Sequence, residues 1–178
     1  MFLFMMVSLD GYYEGVGHDL SWHNVDEEFV KFAIAQLDEV DTLVFGRKTY
    51  DMMAEFWPSR YAMDTDPETA VRMNRLRKVA FSHSEFDPHW ENTEVSTELA
   101  AKIKELKANE GKGIAVLGSS HLGKQLLEAN LLDEVRIMVN PCFIGEGSTL
   151  FNGLEKKMRL ESTRTLESGN VLLCYVPK

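Results

Sequence analysis

The sequence predicts an α/β fold of three layers, in which a central mixed sheet of about eight strands lies between helices. Short apolar runs alternate with segments whose apolar residues recur at helical spacing, which is typical of parallel strands joined by helices. The C-terminal part differs, because two apolar runs separated by the turn Ser168-Gly169-Asn170 indicate an antiparallel pair. With 178 residues and 44% hydrophobic content, we expect residues 1–178 to form one domain with a substantial core.

The N-terminal part of the chain begins with a buried strand and continues into helices. Residues 1–7 are apolar and end at the turn signal Ser8-Leu9-Asp10-Gly11, after which a glycine-bearing aromatic loop extends through Trp22. Asn24 or Ser21 is expected to cap the next helix, whose first turn is acidic. The predicted elements are a strand over 1–7, a helix over about 25–38, a strand over 43–45, a helix near 49–55, a polar surface excursion over 59–70, and strands over 78–82 and 93–96.

The C-terminal part alternates in the same way before it ends in the antiparallel pair. Thr97 is expected to cap a helix that Gly111 stops. The predicted elements are a helix over 97–107, a strand over 113–117, a helix over 120–129, a strand over 133–141, and strands over about 158–166 and 170–176.

The composition argues against several classes of partner. The net charge is −9 at pH 7, whereas binding to nucleic acid requires a basic face. No apolar run approaches the length of a membrane span, so we expect no membrane partner. Cys142 and Cys174 are too few for a disulfide scaffold or a zinc cluster and fit a reducing, cytoplasmic compartment. The histidines show no metal-ligand spacing, so no metal site is expected.

Two strand-to-helix turns carry the main functional signal. In each, an apolar run stops at a glycine, and a helical pattern then begins with Gly46-Arg47-Lys48-Thr49 or with Gly118-Ser119-Ser120-His121-Leu122. The start of a helix presents unpaired backbone N–H groups and the positive end of the helix dipole, which favours phosphate. Two such turns in one small domain predict a ligand with several phosphates, for which a dinucleotide is the natural candidate.

These turns belong to an ordered set of short motifs that covers nearly the whole chain. The set comprises Ser8-Leu9-Asp10-Gly11, Phe45-Gly46-Arg47-Lys48-Thr49-Tyr50, Val116-Leu117-Gly118-Ser119-Ser120, the stretch from Leu131 to Pro141, Ile144-Gly145-Glu146-Gly147 and Leu150-Phe151. In this order the motifs resemble the dihydrofolate reductase-like superfamily. They are most similar to its branch that contains the reductase domain of riboflavin biosynthesis and many small bacterial proteins.

The resemblance implies NADPH as the cofactor and assigns residues to it. In the family, the Gly-Arg-Lys-Thr turn lies against the cofactor phosphates, the turn after the third strand meets the adenosine 2′-phosphate, and the second glycine turn meets the pyrophosphate. The corresponding residues here are Gly46, Arg47, Lys48 and Thr49, then Ser82, His83 and Ser84, and finally Gly118, Ser119, Ser120, His121 and Leu122.

The second glycine turn departs from the family pattern. Members usually have two or three glycines there, often with a cis peptide between the first two, whereas this chain has Gly118-Ser119-Ser120. Serine tolerates unusual backbone angles less well than glycine.

Hydride transfer also requires a proton, which a carboxyl group can supply when burial raises its pKa. Asp10 follows directly on a buried strand, although an Asp-Gly turn residue also bonds its own backbone. In dihydrofolate reductases the acid lies five residues beyond a loop tryptophan, and the same spacing from Trp22 gives Glu27. A glutamate is equally typical of any first helical turn. Asp10 and Glu27 are the candidate catalytic residues, and Trp22 and Asp10 the candidate substrate-binding residues.

Three functions remain open at this point. The first is an NADPH-dependent reductase of a small, heterocyclic substrate that is pterin- or pyrimidine-like. The second is a non-catalytic dinucleotide-binding protein of the same fold, and the third is a flavin-site or nucleotide-binding α/β domain of opposite topology. We also expect a homodimer, because members resembling this chain commonly pair and the apolar terminal hairpin offers an edge or face for contact.

Overall fold

The fold is described from a computed structural model that covers residues 1–118 and 120–178. The strands are β1 (Phe2–Val7), β2 (Tyr12–Gly15), β3 (Val40–Gly46), β4 (Arg77–Phe81), β5 (Thr93–Ser96), β6 (Gly113–Leu117), β7 (Glu134–Val139), β8 (Gly147–Thr149), β9 (Met158–Thr165) and β10 (Val171–Pro177). The helices are α1 (Glu27–Asp38), α2 (Arg47–Phe56), α3 (Arg60–Thr65), α4 (Pro67–Arg75), α5 (Leu99–Ala108) and α6 (Ser120–Glu128), and a 3-10 turn spans Val16–His18.

An eight-stranded sheet forms the middle of the molecule, in the order β5-β4-β3-β6-β1-β7-β10-β9. Within the run from β5 to β7 in this order, every pair of adjacent strands is parallel. β10 runs antiparallel to both β7 and β9. This confirms the predicted mixed sheet and its C-terminal antiparallel pair. β2 and β8 form a separate two-stranded sheet.

Helices cover both faces of the sheet, because side chains of each strand point alternately to either side. Along β1, Leu3 and Met5 pack with Ile103 of α5 and Leu126 of α6. On the opposite face, residues of the sheet such as Phe2 and Met6 pack under α1, α2 and α4. The predicted three-layer fold is therefore confirmed. In the described parts of the chain, no helix combines the length and the hydropathy that crossing a membrane requires.

Two predictions of local structure are wrong. The segment 59–70, expected as a surface excursion, contains α3 and the beginning of α4. These helices lack a recognisable apolar stripe, because their buried side chains are small or few: Ala62, Thr69, Ala70 and Met73. The loop expected to extend through Trp22 contains β2, whose partner β8 lies far away in the sequence and was not predicted.

The helix caps also differ from the expected ones. Asp26, rather than Asn24 or Ser21, caps α1 by accepting a hydrogen bond of 2.7 Å from the backbone N–H of Phe29. Asn24 is instead held by the C-terminal part of the chain. Thr97 does not cap α5, which begins at Leu99 without a side-chain cap.

Lys78 is a charged residue inside the protein, with an exposed fraction of 0%. Its ammonium group donates hydrogen bonds to the backbone oxygens of Met73 at 3.0 Å, Asn74 at 2.9 Å and Leu76 at 2.7 Å. It also lies 4.5 Å from the ring centroid of Trp90. Carbonyls at the end of a helix lack intrahelical partners, so Lys78 satisfies the end of α4. Burial lowers the pKa of Lys78 to about 8.

We expect Lys78→Met to lower the free energy of unfolding by about 3 kcal/mol, because it removes the hydrogen-bond partner of buried backbone oxygens. Urea unfolding followed by circular dichroism measures the change. Lys104 is exposed on α5, and Lys104→Met is expected to change stability by less than about 0.5 kcal/mol. Equal midpoints for the two variants would contradict this function of Lys78.

Candidate functional site

The two predicted glycine turns lie side by side at the carboxyl edge of the sheet. β3 and β6 are parallel neighbours in which Val44 pairs with Val116, so Gly46 and Gly118 emerge next to each other. A Cβ atom built on Gly118 would lie 3.2 Å from Cγ2 of Thr49 in the first turn of α2. Gly118 also has a φ of +79°, a conformation that glycine adopts without strain. The structure thus brings together the N-termini of α2 and α6.

In the second turn, the described side chains are engaged within the protein. Ser120 is buried, and its hydroxyl accepts a hydrogen bond of 3.1 Å from the backbone N–H of Phe151. Nε2 of the exposed His121 lies 2.8 Å from Nε2 of Gln125, and Leu122 packs in the core. What this turn offers a ligand is therefore backbone N–H groups. Ser119, and with it the peptide bond that joins it to Gly118, lies outside the described residues.

Arg47 in the first turn is held in place on two sides. Its Nε donates to both carboxylate oxygens of Asp51, at 2.9 and 2.8 Å. Its guanidinium carbon lies 3.7 Å from the ring centroid of Phe86. Among the described residues, its two terminal nitrogens have no hydrogen-bond partner. Four N–H donors in fixed geometry remain free for an anion, which is the arrangement that recognises phosphate. Lys48 beside it is exposed.

Phe86 belongs to the loop that follows β4, which carries the three residues assigned to the 2′-phosphate. The backbone N–H of Ser82 donates to the oxygen of Ser96, and that of Ser84 donates to the hydroxyl of Ser82 at 3.3 Å. His83 and Ser84 are exposed. Since Phe86 stacks on Arg47, this loop and the first glycine turn form one continuous surface.

Trp90 anchors the far end of the same loop. Its backbone N–H donates to the hydroxyl of Tyr50 on α2, at 3.0 Å. Its indole N–H donates to the side-chain oxygen of Asn74 on α4, at 2.7 Å. Tyr50 also packs beside Phe86, with ring centroids 5.4 Å apart. The loop is therefore fixed to α2, which carries Arg47, and to α4, which carries Asn74.

An apolar patch of two half-buried side chains, Phe4 and Leu117, adjoins the glycine turns on the α1 and α2 face of the sheet. Phe4 of β1 and Leu117 of β6 pair directly across two central strands, yet both side chains are half-buried. Both pack at the edge of the cluster under α2, and the Phe29 ring of α1 lies 6.4 Å from Phe4. Ligands of open α/β sheets bind at the carboxyl ends of the strands, which is where these side chains lie. Sequence analysis missed these residues, because their exposure depends on which helices cover them.

Asp10 is part of the turn after β1, and both of its carboxylate oxygens accept hydrogen bonds. Its carboxylate accepts a hydrogen bond of 2.6 Å from the hydroxyl of Ser8 and one of 2.8 Å from the backbone N–H of Gly145, with Ile144 at 3.3 Å. The Ser8 hydroxyl is the main cause that lowers the pKa of Asp10. Asp10 therefore holds the loop after β7 against the first turn and is ionised at neutral pH.

Glu27 lies in the first turn of α1, with a side-chain exposure of 85%. It accepts a hydrogen bond of 2.6 Å from Lys31, which lowers the pKa of Glu27. Trp22 is half-buried in the preceding loop, where its indole N–H donates to the oxygen of Asp19 at 3.1 Å. Glu27 thus has the surroundings of a first-turn glutamate in water, not those of a buried acid.

Three asparagines hold this loop over the carboxyl end of β7. The backbone N–H of Asn24 donates to the side chain of Asn140 at 2.8 Å, and the side-chain amide of Asn170 donates to the oxygen of Asn24 at 2.8 Å. Asn140 and Asn170 are both completely buried. The sequence signal for them is weak, because asparagine at the end of a strand is also a common turn residue.

His23 lies in the same loop and is half-buried against Trp22, with ring centroids 4.5 Å apart. Burial lowers the pKa of His23 to about 4. Its Nε2 atom is inaccessible to solvent and has no hydrogen-bond partner among the described residues. His23 is therefore neutral at pH 7 and places an unsatisfied polar atom beside Trp22.

Two cavities are lined by residues outside the two glycine turns and the loop after β4. One of about 200 Å³ is lined by β2, the 3-10 turn and β8, including Glu14 and His18. The other, of about 250 Å³, lies at the opposite end of the sheet near Asp41 and Lys112. The residues assigned to the cofactor line neither of them. In the described chain, no cluster of three or more histidine, cysteine or acidic residues suits a metal ion.

Residues 1–173 match the family described as the RibD C-terminal domain. The chain belongs to this family. Membership confirms the predicted resemblance to the dihydrofolate reductase-like superfamily and to its riboflavin-reductase branch. Together with the observed strand order, it makes the third alternative, an α/β domain of opposite topology, wrong.

Relatives of the same length exist in Bacillus subtilis (strain 168). Uncharacterized protein YyaP is 29% identical over 175 residues, which cover 96% of this chain and 91% of that protein. Uncharacterized protein YwjB is 26% identical over 184 residues, covering 98% of this chain and 95% of that protein.

Solved structures share the fold. A putative riboflavin biosynthesis protein from Shewanella sp. PV-4 is 25% identical with a TM-score of 0.73, covering 99% of this chain and 98% of that one. A diaminohydroxyphosphoribosylaminopyrimidine deaminase/5-amino-6-(5-phosphoribosylamino)uracil reductase from Thermotoga maritima is 16% identical with a TM-score of 0.71. The match covers 99% of this chain and 56% of the Thermotoga protein, so the same fold also occurs as part of a longer chain.

The lowered pKa of His23 predicts a pH-dependent stability. As the pH falls through 6.5 the unfolded chain binds a proton at His23, whereas the folded chain does so only near pH 4. The contribution of neutral His23 is therefore complete above pH 6.5 and is lost as the pH falls towards 4. After allowance for solvent screening of a partly exposed ring, we expect wild type to lose about 1 kcal/mol more than His23→Leu between pH 7 and 5.

Chemical unfolding at both pH values measures this difference. Val25→Ala changes an exposed residue of the same loop and involves no titratable group. Its free energy of unfolding is expected to change with pH as that of wild type does. If the free energy of unfolding of His23→Leu changed with pH as that of wild type does, His23 would bind protons equally in the folded and the unfolded chain.

Proposed function

We propose that the protein is an NADPH-dependent reductase that transfers a hydride to a small heterocyclic substrate, pterin- or pyrimidine-like. The observation that carries this proposal is the fixed guanidinium of Arg47 beside two adjoining glycine turns. An isolated helix start is common, whereas this edge combines two helix starts with a free fork of N–H donors. Membership of the RibD C-terminal domain family and the reductase-named neighbours support the same activity.

The residues at the edge fit a phosphorylated dinucleotide. Gly118 has no side chain, which allows Thr49 of the first turn to pack closely against it, so the two turns can act on one ligand. The N–H groups of α2 and α6 would hold the pyrophosphate, and Arg47 with the Ser82–Ser84 loop would hold the 2′-phosphate. Lys48 adds positive charge from solvent. When bound, the nicotinamide supplies the hydride.

The apolar patch of Phe4 and Leu117 would suit a hydride acceptor. Phe4 and Leu117 form a floor without charged groups, which orients a planar ring and excludes water from the reacting face. Trp22 and the loop held by the asparagines border the carboxyl ends of β1 and β7. A heterocycle stacked on this floor would adjoin the two glycine turns.

A second candidate function is non-catalytic binding of a dinucleotide. The lowered pKa values of the two candidate acids favour it. A proton donor needs a carboxyl group whose pKa is raised, whereas the pKa values of Asp10 and Glu27 are both lowered. The reductase proposal therefore assigns Asp10 to holding the loop after β7 and draws its proton from solvent or substrate. Oxidation of NADPH in the presence of pterin, pyrimidine or flavin acceptors separates the two functions.

Arg47→Ala is expected to weaken NADPH binding about tenfold, because hydrogen bonds to charged groups contribute about 1.5–3 kcal/mol. Fluorescence titration of NADPH into wild type and variant measures the dissociation constants. Arg60 provides a matched control, since it forms an exposed pair with Asp64 four residues on, at 3.4 Å. Arg60→Ala is expected to bind NADPH as wild type does. Equal dissociation constants for wild type and a folded Arg47→Ala would contradict the proposed dinucleotide site.

We further propose a homodimer through the C-terminal sheet. β9 forms the edge of the sheet and β10 lies inside it, so the hairpin offers an edge strand and, through β10, an apolar face. Val171, Leu173 and Tyr175 share that face, are half-buried and are apolar, which is typical of an interface. Light scattering at micromolar concentration is expected to give twice the chain mass of 20.3 kDa. Leu173→Glu is expected to reduce it, and a wild-type mass of one chain would contradict the proposal.

A further inference from the structure

The ring of Phe86 packs at the edge of the hydrophobic core, and it also makes a specific contact with a charged side chain. It is half-buried in an otherwise exposed stretch of the loop after β4, beside the exposed Ser84 and Glu85. The guanidinium carbon of Arg47 lies 3.7 Å from its centroid. The ring of Phe86 also packs against Tyr50, which is completely buried.

This contact restricts an arginine that would otherwise be mobile. Arg47 is exposed, and an exposed ion pair such as the one with Asp51 holds a long side chain only weakly. A guanidinium stacked on an aromatic face is held in one plane. The Asp51 carboxylate accepts hydrogen bonds from Nε, and among the described residues the two terminal nitrogens have no hydrogen-bond partner.

The geometry points to Phe86 as a positioning residue that makes this site selective for a dinucleotide with a 2′-phosphate. The inference rests on the proposed function, because it concerns the same cofactor site. Phe86 touches Arg47 and stands four residues beyond Ser82, so it couples the free N–H donors to the loop assigned to that phosphate. A pre-oriented fork loses less entropy on binding a phosphate monoester, whereas NADH, which has a ribose hydroxyl there, gains nothing from it.

The test compares NADPH and NADH binding in wild type, Phe86→Leu and Phe86→Tyr. Leucine keeps apolar bulk but has no aromatic face, while tyrosine keeps the face. We expect Phe86→Leu to raise the dissociation constant of NADPH about fivefold and to leave that of NADH unchanged. Phe86→Tyr is expected to restore the wild-type ratio. Circular dichroism establishes that each variant is folded.

A control and three contrary outcomes complete the experiment. Tyr61→Leu removes an exposed aromatic ring of α3 and is expected to leave both constants unchanged. An unchanged NADPH-to-NADH ratio in Phe86→Leu, or equal weakening of both cofactors, would overturn the positioning role while the reductase proposal stands. Equal wild-type affinity for the two cofactors would overturn selectivity alone. Failure of wild type to bind either would overturn the proposed function as well.

Discussion

The parallel pairing of β3 with β6 is the constraint on which the candidate site depends. It brings Gly46 and Gly118, which are far apart in the chain, to the same height on one edge of the sheet. Thr49 then packs so closely on Gly118 that a Cβ atom there would crowd it. Because two helices start at this point, their unpaired N–H groups face the same space, and a ligand with two phosphates can use both.

Buried polar groups hold the loops around this edge. Lys78 satisfies the end of α4, and Trp90 joins α2 and α4 to the loop that carries Phe86. On the other side, Asn140 and Asn170 hold the loop that contains Trp22 and His23. Leaving such groups without partners inside a protein is costly, so each network favours one arrangement of its loop.

The position of the candidate site was predictable from sequence where it depends on the backbone, and less so where it depends on side chains. Gly46, Arg47 and Gly118 were proposed for it because a glycine that ends an apolar run marks a strand-to-helix turn. Phe86 gave no signal, because an aromatic residue in a polar loop does not reveal what it contacts. Asp10 and Glu27 have the right residue type for an acid, but the pKa of each depends on neighbours from the folded structure: Ser8 and Gly145 for one, Lys31 for the other.

The sequence by itself determined the three-layer fold and the mixed sheet, because hydrophobic periodicity and turn residues are local properties of the chain, and its ordered motifs carried the resemblance to the family. It did not reveal α3 and α4, whose buried side is made of small residues, nor the pairing of β2 with β8 across a long separation. Only the tertiary structure decided which central-strand side chains stay open to a ligand. Phe4 and Leu117 are only half-buried although they lie on central strands, because burial depends on packing between distant segments.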